Sequence, residues 1–457
     1  MTSKITSQSG VIFWFRRDLR LHDQPALTAA IQHAEQQSGW LLPVFIHDPA
    51  ETAQTRWGFA RMSERRRAWM ASAADALAGE LHERASGLLQ YEGDTVATLL
   101  QLERALGNPL LVCEEIAAPE EQAEVEALRA AGVEVHTVWQ SSLVAPADLP
   151  FEPRAVPDTF TTFRQALERA HVQAAQPLPP VVSLPALPPD ALLNLVKPDS
   201  FSSEQRAEEN IRDAAPAIPA CVSDARAAFP TGPGRFTGGE RSALQHLAQY
   251  CQRGLPHTYK TTRNGLMGMD YSSKWSPWLA TGALSARQAW ATIQAFETEH
   301  GANESTYWLW FELLWRDHFR WLHFKHGGRL YRAGGLGNAP APSHYAENFA
   351  RWCRGESGQP FIDAGMRELA ATGYLSNRLR QNVASYLVHD LGCDWRAGAA
   401  WFEAQLLDYD VYSNQGNWLY LSGRGTDPRQ GRRFNPDKQA QDYDADGRYR
   451  ALWGPLP

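Results

Sequence analysis

The stretch Val11-Ile12-Phe13-Trp14-Phe15, followed directly by Arg16-Arg17-Asp18-Leu19-Arg20, decides how this chain begins to fold. Five consecutive apolar residues are typical of a strand that is covered on both faces, as the strands of parallel sheets are. A strand that opens a dinucleotide-binding unit would continue into the glycine pattern G-x-G-x-x-G, and that pattern does not follow here. We therefore predict a buried parallel strand that leads into a charged loop.

Short apolar runs and segments of helical period alternate through residues 11–139. Further strands are predicted at 41–46, 88–91, 109–113 and 133–139, with helices at 25–34, 56–82, 95–105 and 120–131. Five strands with helices between them predict a doubly wound parallel sheet. The fold class is therefore α/β plus all-α, in which a long linker joins the sheet to a helical domain.

The rest of the chain divides at a proline-dense stretch, which predicts an extended interdomain linker. The predicted domains are 1–140, 141–229 and 230–457. In the last of these, helical period is found near 240–253, 276–282, 285–300, 304–326, 363–373, 376–391 and 395–407. The last forty residues are rich in Gly, Asp and Arg and are predicted to be irregular.

Composition limits the class of function. The 457 residues carry a net charge of −7 and 17 tryptophans. A negative charge is typical of an ordinary acidic enzyme. However, most of the tryptophans and more than half of the basic residues follow residue 230, so a local positive field for a polyanion stays open.

Membrane insertion, secretion and metal binding are not predicted. The chain has neither an apolar run long enough for a membrane span nor the apolar core of a secretory signal at its start. Its five cysteines are scattered and form no C-x-x-C pair, which disfavours a zinc ribbon and an iron–sulfur cluster. We expect a protein of the reducing cytoplasm with no metal and no membrane partner.

Helical spacing places Glu312, Trp315, Arg316 and Phe319 on one face of the helix predicted at 304–326. Buried charges are costly unless they are paired, so a plain core face would use aliphatic residues instead. A structural Glu–Arg pair beside aromatic packing explains this face. A cavity wall that stacks a flat ligand and hydrogen-bonds its edge explains it equally well.

A second polar stripe lies on the helix predicted at 376–391. Tyr374, Asn377 and Gln381 share it, with Arg380 beside them, and a solvated surface is the plainer interpretation. Arg380 is a candidate to neutralise Asp408.

Two acidic residues, Asp408 and Asp410, are separated by a single tyrosine. Paired carboxylates bind either a metal or a ribose diol, and the absence of histidine from this stretch disfavours the metal.

Serines gather before a predicted helix start, in the run Ser272, Ser273, Lys274, Trp275 and Ser276. Hydroxyls, a lysine and free backbone N–H groups suit a phosphate. Simple capping of the helix by serine is the alternative.

Several motifs, in order along nearly the whole chain, resemble the cryptochrome/photolyase family, and two more stretches are most similar to its DASH branch. The family motifs are VIFWFRRDLRLHD at 11–23, SSKWSP at 272–277, ELLWRD at 312–317, NRLR at 377–380 and DYD at 408–410; the DASH-like stretches are NESTYW at 303–308 and 427–444. The resemblance implies an N-terminal antenna domain and a C-terminal helical domain that holds FAD.

The resemblance also implies roles for individual residues. Glu312 and Trp315 match the pair that binds the DNA lesion, and Asn414 matches the residue that faces flavin N5; these three are the implied catalytic residues. The implied FAD-binding set is Tyr259, Ser272, Ser273, Lys274, Trp275, Ser276, Glu312, Arg316, Asn377, Arg380, Asp408, Asp410 and Asn414. The implied substrate pocket is Tyr374, Gln381 and Tyr420.

The reaction that the resemblance implies is light-driven repair of cyclobutane pyrimidine dimers, in which photoexcited reduced FAD donates an electron to the dimer. Duplex-repairing photolyases commonly have Trp and Met where this chain has Tyr374 and Gln381. A more polar pocket offers less apolar surface to offset the extrusion of a dimer from a duplex, so we expect a preference for single-stranded DNA. The contacts with DNA are expected from basic residues at the cavity rim, with Arg263, Lys325, Arg429, Arg432 and Arg433 as candidates.

Two accessory functions are implied. Trp418 and Trp395 match two members of an electron-transfer chain to the flavin. A third tryptophan is missing near 342–345, where Tyr345 or Trp352 is the candidate substitute. Glu120 matches an acidic contact to an antenna pigment, 5,10-methenyltetrahydrofolate. Glu115 is the second candidate for this contact.

Three classes of function stay open, and a monomer is expected in each. Dimer repair is favoured by the face that holds Glu312 and Trp315. A blue-light photoreceptor that signals through a flavin redox change is the alternative, and a nucleic-acid-binding module without photochemistry is the third.

Overall fold

A parallel sheet forms the first part of the molecule, and the computed structural model describes residues 10–197, 224–232, 234–427 and 431–455. The described residues form five strands in the order β3-β2-β1-β4-β5. The central strand β1 is buried at all six residues, as its apolar sequence predicts. The strands are β1 (Gly10–Phe15), β2 (Trp40–His47), β3 (Leu89–Glu92), β4 (Leu110–Glu114) and β5 (Val135–Val138).

Helices cover both faces of the sheet because successive side chains of β1 point in opposite directions. Phe13 and Phe15 pack with the first two helices, whereas Ile12 and Trp14 pack with the next two. These helices are α1 (Pro25–Gln36), α2 (Glu64–His82), α3 (Thr95–Ala105) and α4 (Pro119–Ala130). The second helix begins eight residues later than the sequence predicts, since Ser63 caps it by accepting a hydrogen bond from Arg66 N at 3.3 Å.

The segment that follows the sheet wraps around it and contains two helices, α5 (Phe160–Arg169) and α6 (Asp190–Val196). It is anchored behind the sheet because Tyr91 Oη donates to Val196 O at 2.5 Å. Part of the predicted linker, 198–223, lies outside the described residues.

The second part of the molecule is helical in the residues that the structure describes. Its helices are α7 (Glu240–Gln252), α8 (Tyr259–Thr262), α9 (Ser276–Thr281), α10 (Ala286–His300), α11 (Glu304–His326), α12 (Ala346–Arg354), α13 (Pro360–Thr372), α14 (Asn377–His389), α15 (Trp395–Gln405), α16 (Val411–Ser422), α17 (Pro436–Tyr443) and α18 (Arg448–Leu452).

The prediction of an irregular end to the chain is wrong for the last two helices. Asn435 caps α17 by accepting from Lys438 N, and the buried Tyr449 anchors α18 by donating to Glu368. The region has few apolar residues, so its sequence shows no helical period from which either helix could be predicted.

The two parts pack tightly against each other along the carboxyl edge of the sheet. Gly282, which ends α9 at φ +75°, lies so close to the chain after β1 that a Cβ atom there would meet Arg17 O at 2.0 Å. Asp317 of α11 accepts from Leu143 N at 2.8 Å and from Val144 N at 3.0 Å. These contacts set α11 against the sheet.

In the described ranges, no helix is both long enough and apolar enough to cross a bilayer.

Candidate active site

The predicted site residues lie on four elements that pack together. Helix α11 contacts α8 and α16, and α16 in turn contacts α14. The bundle therefore gathers side chains as far apart in sequence as Tyr259 and Tyr420, and the run 272–276 approaches it from the start of α9.

Asp408 and Arg380 form the ion pair that the sequence predicts. Arg380 Nη2 donates to Asp408 Oδ2 at 2.8 Å, and the guanidinium also donates from Nε to Leu375 O. Ser376 caps α14 and so fixes where Arg380 leaves the helix. The second carboxylate oxygen, Asp408 Oδ1, is buried and has no hydrogen-bond partner among the described residues.

Asp410 has a different set of partners. It caps α16 by accepting from Ser413 N at 3.2 Å, and Arg320 Nη2 donates to its Oδ1 at 3.1 Å. Burial disfavours the charged carboxylate, but Arg320 and Arg316 outweigh burial and hold the pKa of Asp410 below its ordinary value. The sequence analysis missed Arg320, which lies one helical turn beyond Arg316.

Lys274 points into the protein interior. Only 1% of it is exposed, its φ is +57°, and its Nζ lies 3.2 Å from the centre of the Tyr271 ring. Within the described part of the chain Nζ has no hydrogen-bond acceptor, and burial holds the pKa of Lys274 well below its ordinary value. A buried amine with no hydrogen-bond acceptor is costly, which indicates that a ligand completes its surroundings.

Serine does not cap α9. Trp275 is the N-cap residue, and no described side chain accepts a capping bond there. Ser272 and Ser276 instead lie close enough to the hydroxyl of Tyr374 to lower its pKa, which burial raises to about 12. The capping alternative is therefore wrong, and these serines face the same interior region as Lys274.

The buried polar groups of this region fit FAD. Unpartnered atoms among the described residues include Tyr271 Oη, Lys274 Nζ and Asp408 Oδ1. The charges of Asp408 and Arg380 influence the pKa values of both Tyr271 and Lys274, so these groups form one cluster. An amine and a phenol suit a diphosphate, and a free carboxylate oxygen suits a ribose diol.

Trp315 and Tyr420 line a cavity of about 320 Å³ together with Phe160, Phe319 and Arg432. The rings of Trp315 and Phe160 are stacked, with centroids 3.8 Å apart and planes 12° apart. Tyr420 meets Trp315 edge-on at 5.9 Å. The sequence analysis missed Phe160 because it lies in the segment predicted to be linker.

Glu312 is partly exposed and forms an ion pair with Arg263. Burial raises the pKa of Glu312, although the charge and the hydrogen bond of Arg263 oppose this. Arg263 belongs to a loop that also reaches α14, since Arg378 Nη2 donates to Asn264 Oδ1 at 3.0 Å.

Three other predicted residues have distinct surroundings. Asn377 is the exposed first residue of α14, and Gln381 accepts from Arg378 at 3.3 Å. Asn414 of α16 donates to Ala399 O at 3.0 Å, which leaves its side-chain oxygen as an acceptor.

The structure gives Tyr374 and Tyr259 different surroundings, which their sequence patterns did not predict. Tyr374 is 5% exposed, stacks on Phe229 and has Lys274 Nζ 4.9 Å from its ring centre, so it lies in the same interior region as Lys274 and is not among the residues that line the Trp315 cavity. Tyr259 is the first residue of α8. Burial and the charge of Glu312 raise the pKa of its hydroxyl, and the charge of Arg263 opposes this.

A larger cavity of about 490 Å³ lies between the two parts of the molecule and is lined by Arg316, Asp410 and Glu120. Arg316 donates to Ser141 O at 2.5 Å, and burial lowers its pKa to about 10. Glu120 pairs with Arg61 at 2.6 Å. The neighbouring buried Glu114 also lines this cavity, and burial raises its pKa to about 8.

Glu115 is not among the described residues that line this cavity. It follows the last residue of β4, and its N–H donates to Val138 O at 2.9 Å. Since successive side chains at the end of a strand point in opposite directions, Glu114 faces the cavity and Glu115 faces away from it.

Trp418 and Trp395 are both buried in one aromatic cluster. Trp395 Nε1 donates to Ala333 O at 3.2 Å, and Trp418 meets Phe402 edge-on at 5.1 Å. Of the two candidate substitutes for a third member, Tyr345 is 57% exposed and Trp352 is fully buried.

Of the candidate DNA-contacting residues, Lys325 and Arg433 form ion pairs with Asp158 and Asp390, and Arg432 pairs with Asp427. Arg429 lies outside the described residues.

Comparisons with known proteins agree with this geometry. Residues 11–183 match the family model for DNA photolyase, and residues 308–456 match the model for the FAD binding domain of DNA photolyase. The helical part is therefore an FAD-binding domain.

Full-length relatives and a solved structure narrow the family further. The chain is 40% identical to cryptochrome DASH of Gloeobacter violaceus over 98% of its own length and 86% of the relative's. It is also 40% identical to cryptochrome DASH of Xenopus laevis, over 97% and 82% of the two chains. The crystal structure of a cryptochrome from Synechocystis sp. superposes with a TM-score of 0.84 at 36% identity, covering 97% of this chain and 88% of the other. The chain belongs to the DASH cryptochromes of the cryptochrome/photolyase family.

Proposed function

We propose that this protein is a photolyase-type lyase that uses blue light and FAD to split cyclobutane pyrimidine dimers, preferentially in single-stranded DNA. The observation that carries the proposal is the partly exposed indole of Trp315 at the wall of an aromatic cavity of about 320 Å³. Flat bases that leave the stack are held by aromatic rings of this kind.

When bound, reduced FAD supplies the photoexcited electron that opens the cyclobutane ring and takes the electron back, so a turnover consumes no external reductant. Lys274, Tyr271 and Ser272 would hold the diphosphate side of the cofactor, and Asp408 the ribose side. With its amide nitrogen bonded to Ala399 O, Asn414 offers an oxygen to a protonated flavin nitrogen.

The protein's part in the reaction is to extract and hold the dimer. Trp315 would stack on the pyrimidine rings, and Glu312 would hydrogen-bond their polar edges. In its ion pair with Arg263 the Glu312 carboxylate accepts hydrogen bonds, so it is suited to the N–H groups on the pyrimidine edges.

The preference for single strands is supported by Gln381 and Tyr420. Tyr420 lines the Trp315 cavity, and Gln381 is polar where duplex-repairing photolyases commonly have Met, which leaves less apolar surface to offset the cost of extrusion, about a few kcal/mol. Tyr374 no longer supports the preference, because it packs against Phe229 and the serines.

A folate antenna is supported by the cavity between the two parts of the molecule. Its volume of about 490 Å³ suits a ligand of cofactor size, and Glu114 and Glu120 provide carboxyl groups for a pterin edge. Gel filtration after mixing with 5,10-methenyltetrahydrofolate tests this. We expect the near-ultraviolet folate band to stay with the protein, and loss of the band would refute the proposal.

We also propose a cytoplasmic, monomeric protein. The four cysteines within the described ranges are free thiols, as expected in a reducing compartment. Light scattering after size exclusion tests the monomer, and a mass of twice 51.0 kDa would contradict it.

Repair of one defined dimer tests the function. The fully reduced protein is illuminated with an oligonucleotide that carries a single thymine dimer, either as a single strand or annealed to its complement. We expect rapid repair of the single strand and repair of the duplex at least about tenfold slower. Equal rates would refute the strand preference. Flavin photoreduction without repair of either substrate would favour the photoreceptor.

A further inference from the structure

The segment that joins the two parts of the molecule lies along α11, on the side where the Trp315 cavity opens. His318 Nε2 donates to Pro157 O at 2.9 Å, and Lys325 Nζ donates to Val156 O at 2.8 Å. Toward the other end of α11, Tyr307 Oη donates to Glu168 at 2.7 Å. The segment 156–168 is therefore held against α11 both before and after Trp315.

Phe160, the first residue of α5, is the part of this segment that touches the proposed lesion site. It is 6% exposed, and its ring lies parallel to the indole of Trp315 at 3.8 Å. Phe311, one turn before Trp315, meets Phe160 edge-on at 5.0 Å and holds its ring from the side. Phe160 has little freedom to turn.

The stack covers one face of the indole and leaves the rest to the cavity. Trp315 is partly exposed and lines the cavity with Tyr420, which approaches it edge-on at 75°. An indole on a helix surface can occupy several side-chain rotamers. The parallel contact with Phe160 selects one of them before any substrate arrives, which reduces the entropy that binding must remove.

We propose that Phe160 is a positioning residue for dimer recognition: its stack on Trp315 fixes the indole plane against which the extruded dimer rests. The inference rests on the proposed function. It assigns part of substrate recognition to the segment between the domains, which the sequence predicted to be only a linker. Its effect is on discrimination between damaged and undamaged strands, because an apolar ring offers neither charge nor hydrogen bonds to the phosphates that both strands carry.

The test compares variants of Phe160 with a matched variant one turn away. Phe160→Leu keeps apolar bulk and removes the planar ring, and Phe160→Tyr restores the ring. Phe163→Leu is the control, since Phe163 is also buried in α5 and meets His318 at 5.0 Å, whereas Phe160 is the ring stacked on Trp315. Binding to one single-stranded oligonucleotide is measured with and without a thymine dimer, and flavin content and thermal unfolding are measured for every variant.

We expect Phe160→Leu to lose about tenfold of the preference for the damaged strand, with affinity for the undamaged strand unchanged. Phe160→Tyr and Phe163→Leu keep the preference of the wild-type protein. The proposal is overturned if Phe160→Leu keeps the full preference. It is also overturned if Phe160→Leu binds the dimer more tightly, since Phe160 would then block the site. A wild-type protein that does not prefer damaged DNA would instead contradict the proposed function itself.

Discussion

Arg380 and Asp408 form a largely buried ion pair in which only one carboxylate oxygen, Oδ2, meets the guanidinium, at 2.8 Å. The other oxygen is left for a ligand. Asp408→Asn removes the counter-charge of Arg380, and a buried pair that loses one partner is strongly destabilised. We expect the free energy of unfolding to fall by about 3–5 kcal/mol in urea titrations, and the flavin absorption of the purified protein to fall about tenfold.

Asp390→Asn is the control for this change. Its partner Arg433 is largely exposed and lies at 2.7 Å, so the loss is expected to stay below about 1 kcal/mol with full flavin content. Full flavin content in Asp408→Asn would contradict the assignment of this carboxylate to the cofactor.

Glu368 makes the stability of the protein depend on pH. Burial raises its pKa from 4.5 to about 7, although the hydrogen bond from Tyr449 and the charges of Lys274 and Arg380 oppose this. Between pH 4.5 and about 7, the Glu368 carboxyl therefore keeps its proton in the folded protein and loses it in the unfolded chain. The contribution of Glu368 to stability is fully present below pH 4.5 and is lost as the pH rises through about 7.

Substitution Glu368→Gln removes that loss. We expect the variant to be more stable than the wild-type protein at pH 8, by up to about 3 kcal/mol, and the difference to shrink toward pH 5. Urea unfolding across this range measures it. Glu356→Gln, at an exposed ion pair with Arg354, serves as the control. A Glu368→Gln difference that does not change with pH would show that Glu368 titrates normally.

Trp315 is expected to supply most of the selectivity for damaged DNA. Stacking of a base on an aromatic side chain contributes about 1–3 kcal/mol, so Trp315→Leu should weaken binding of a dimer-bearing single strand about 10- to 100-fold. Binding of the undamaged strand should stay the same. Trp310→Leu is the control, because Trp310 packs on Trp290 at 4.9 Å and does not line the cavity. Equal losses in the two variants would point to a general loss of structure.

The tryptophan chain gives a separate prediction. Trp418→Phe or Trp395→Phe should slow light-driven reduction of oxidised flavin by at least about tenfold, and repair by chemically pre-reduced protein should be unaffected. Tyr345→Phe should also slow photoreduction if the exposed phenol is the terminal donor. Trp352→Phe, which changes a fully buried indole, is the comparison. Slowing by Trp352→Phe and not by Tyr345→Phe would assign the role to Trp352.

Local patterns predicted the elements of this fold well because their causes are local. Continuous apolar runs such as 11–15 predict buried strands, and the structure confirms the five parallel strands. The pairing of Arg380 with Asp408 was predictable for another reason: a buried carboxylate needs an opposite charge beside it.

The site was less predictable where its residues meet only in the tertiary fold. Phe160 follows proline- and threonine-containing sequence with no aromatic pattern, and only the packing of the joining segment on α11 brings it to Trp315. Tyr374 was placed on a polar stripe for which a solvated surface was the plainer interpretation, but it is 5% exposed and stacks on Phe229. Glu114 and Glu115 differ only in which side of the strand end they face.

Emission from the reduced flavin tests the central claim most directly. Transfer of an electron to a dimer held beside the flavin competes with emission, so adding a dimer-bearing single strand should quench the flavin fluorescence of the wild-type protein. The undamaged strand should not quench it, and Trp315→Leu should need a much higher concentration of the damaged strand. Unchanged emission when the damaged strand is fully bound would contradict the claim that the Trp315 cavity holds a dimer next to the flavin.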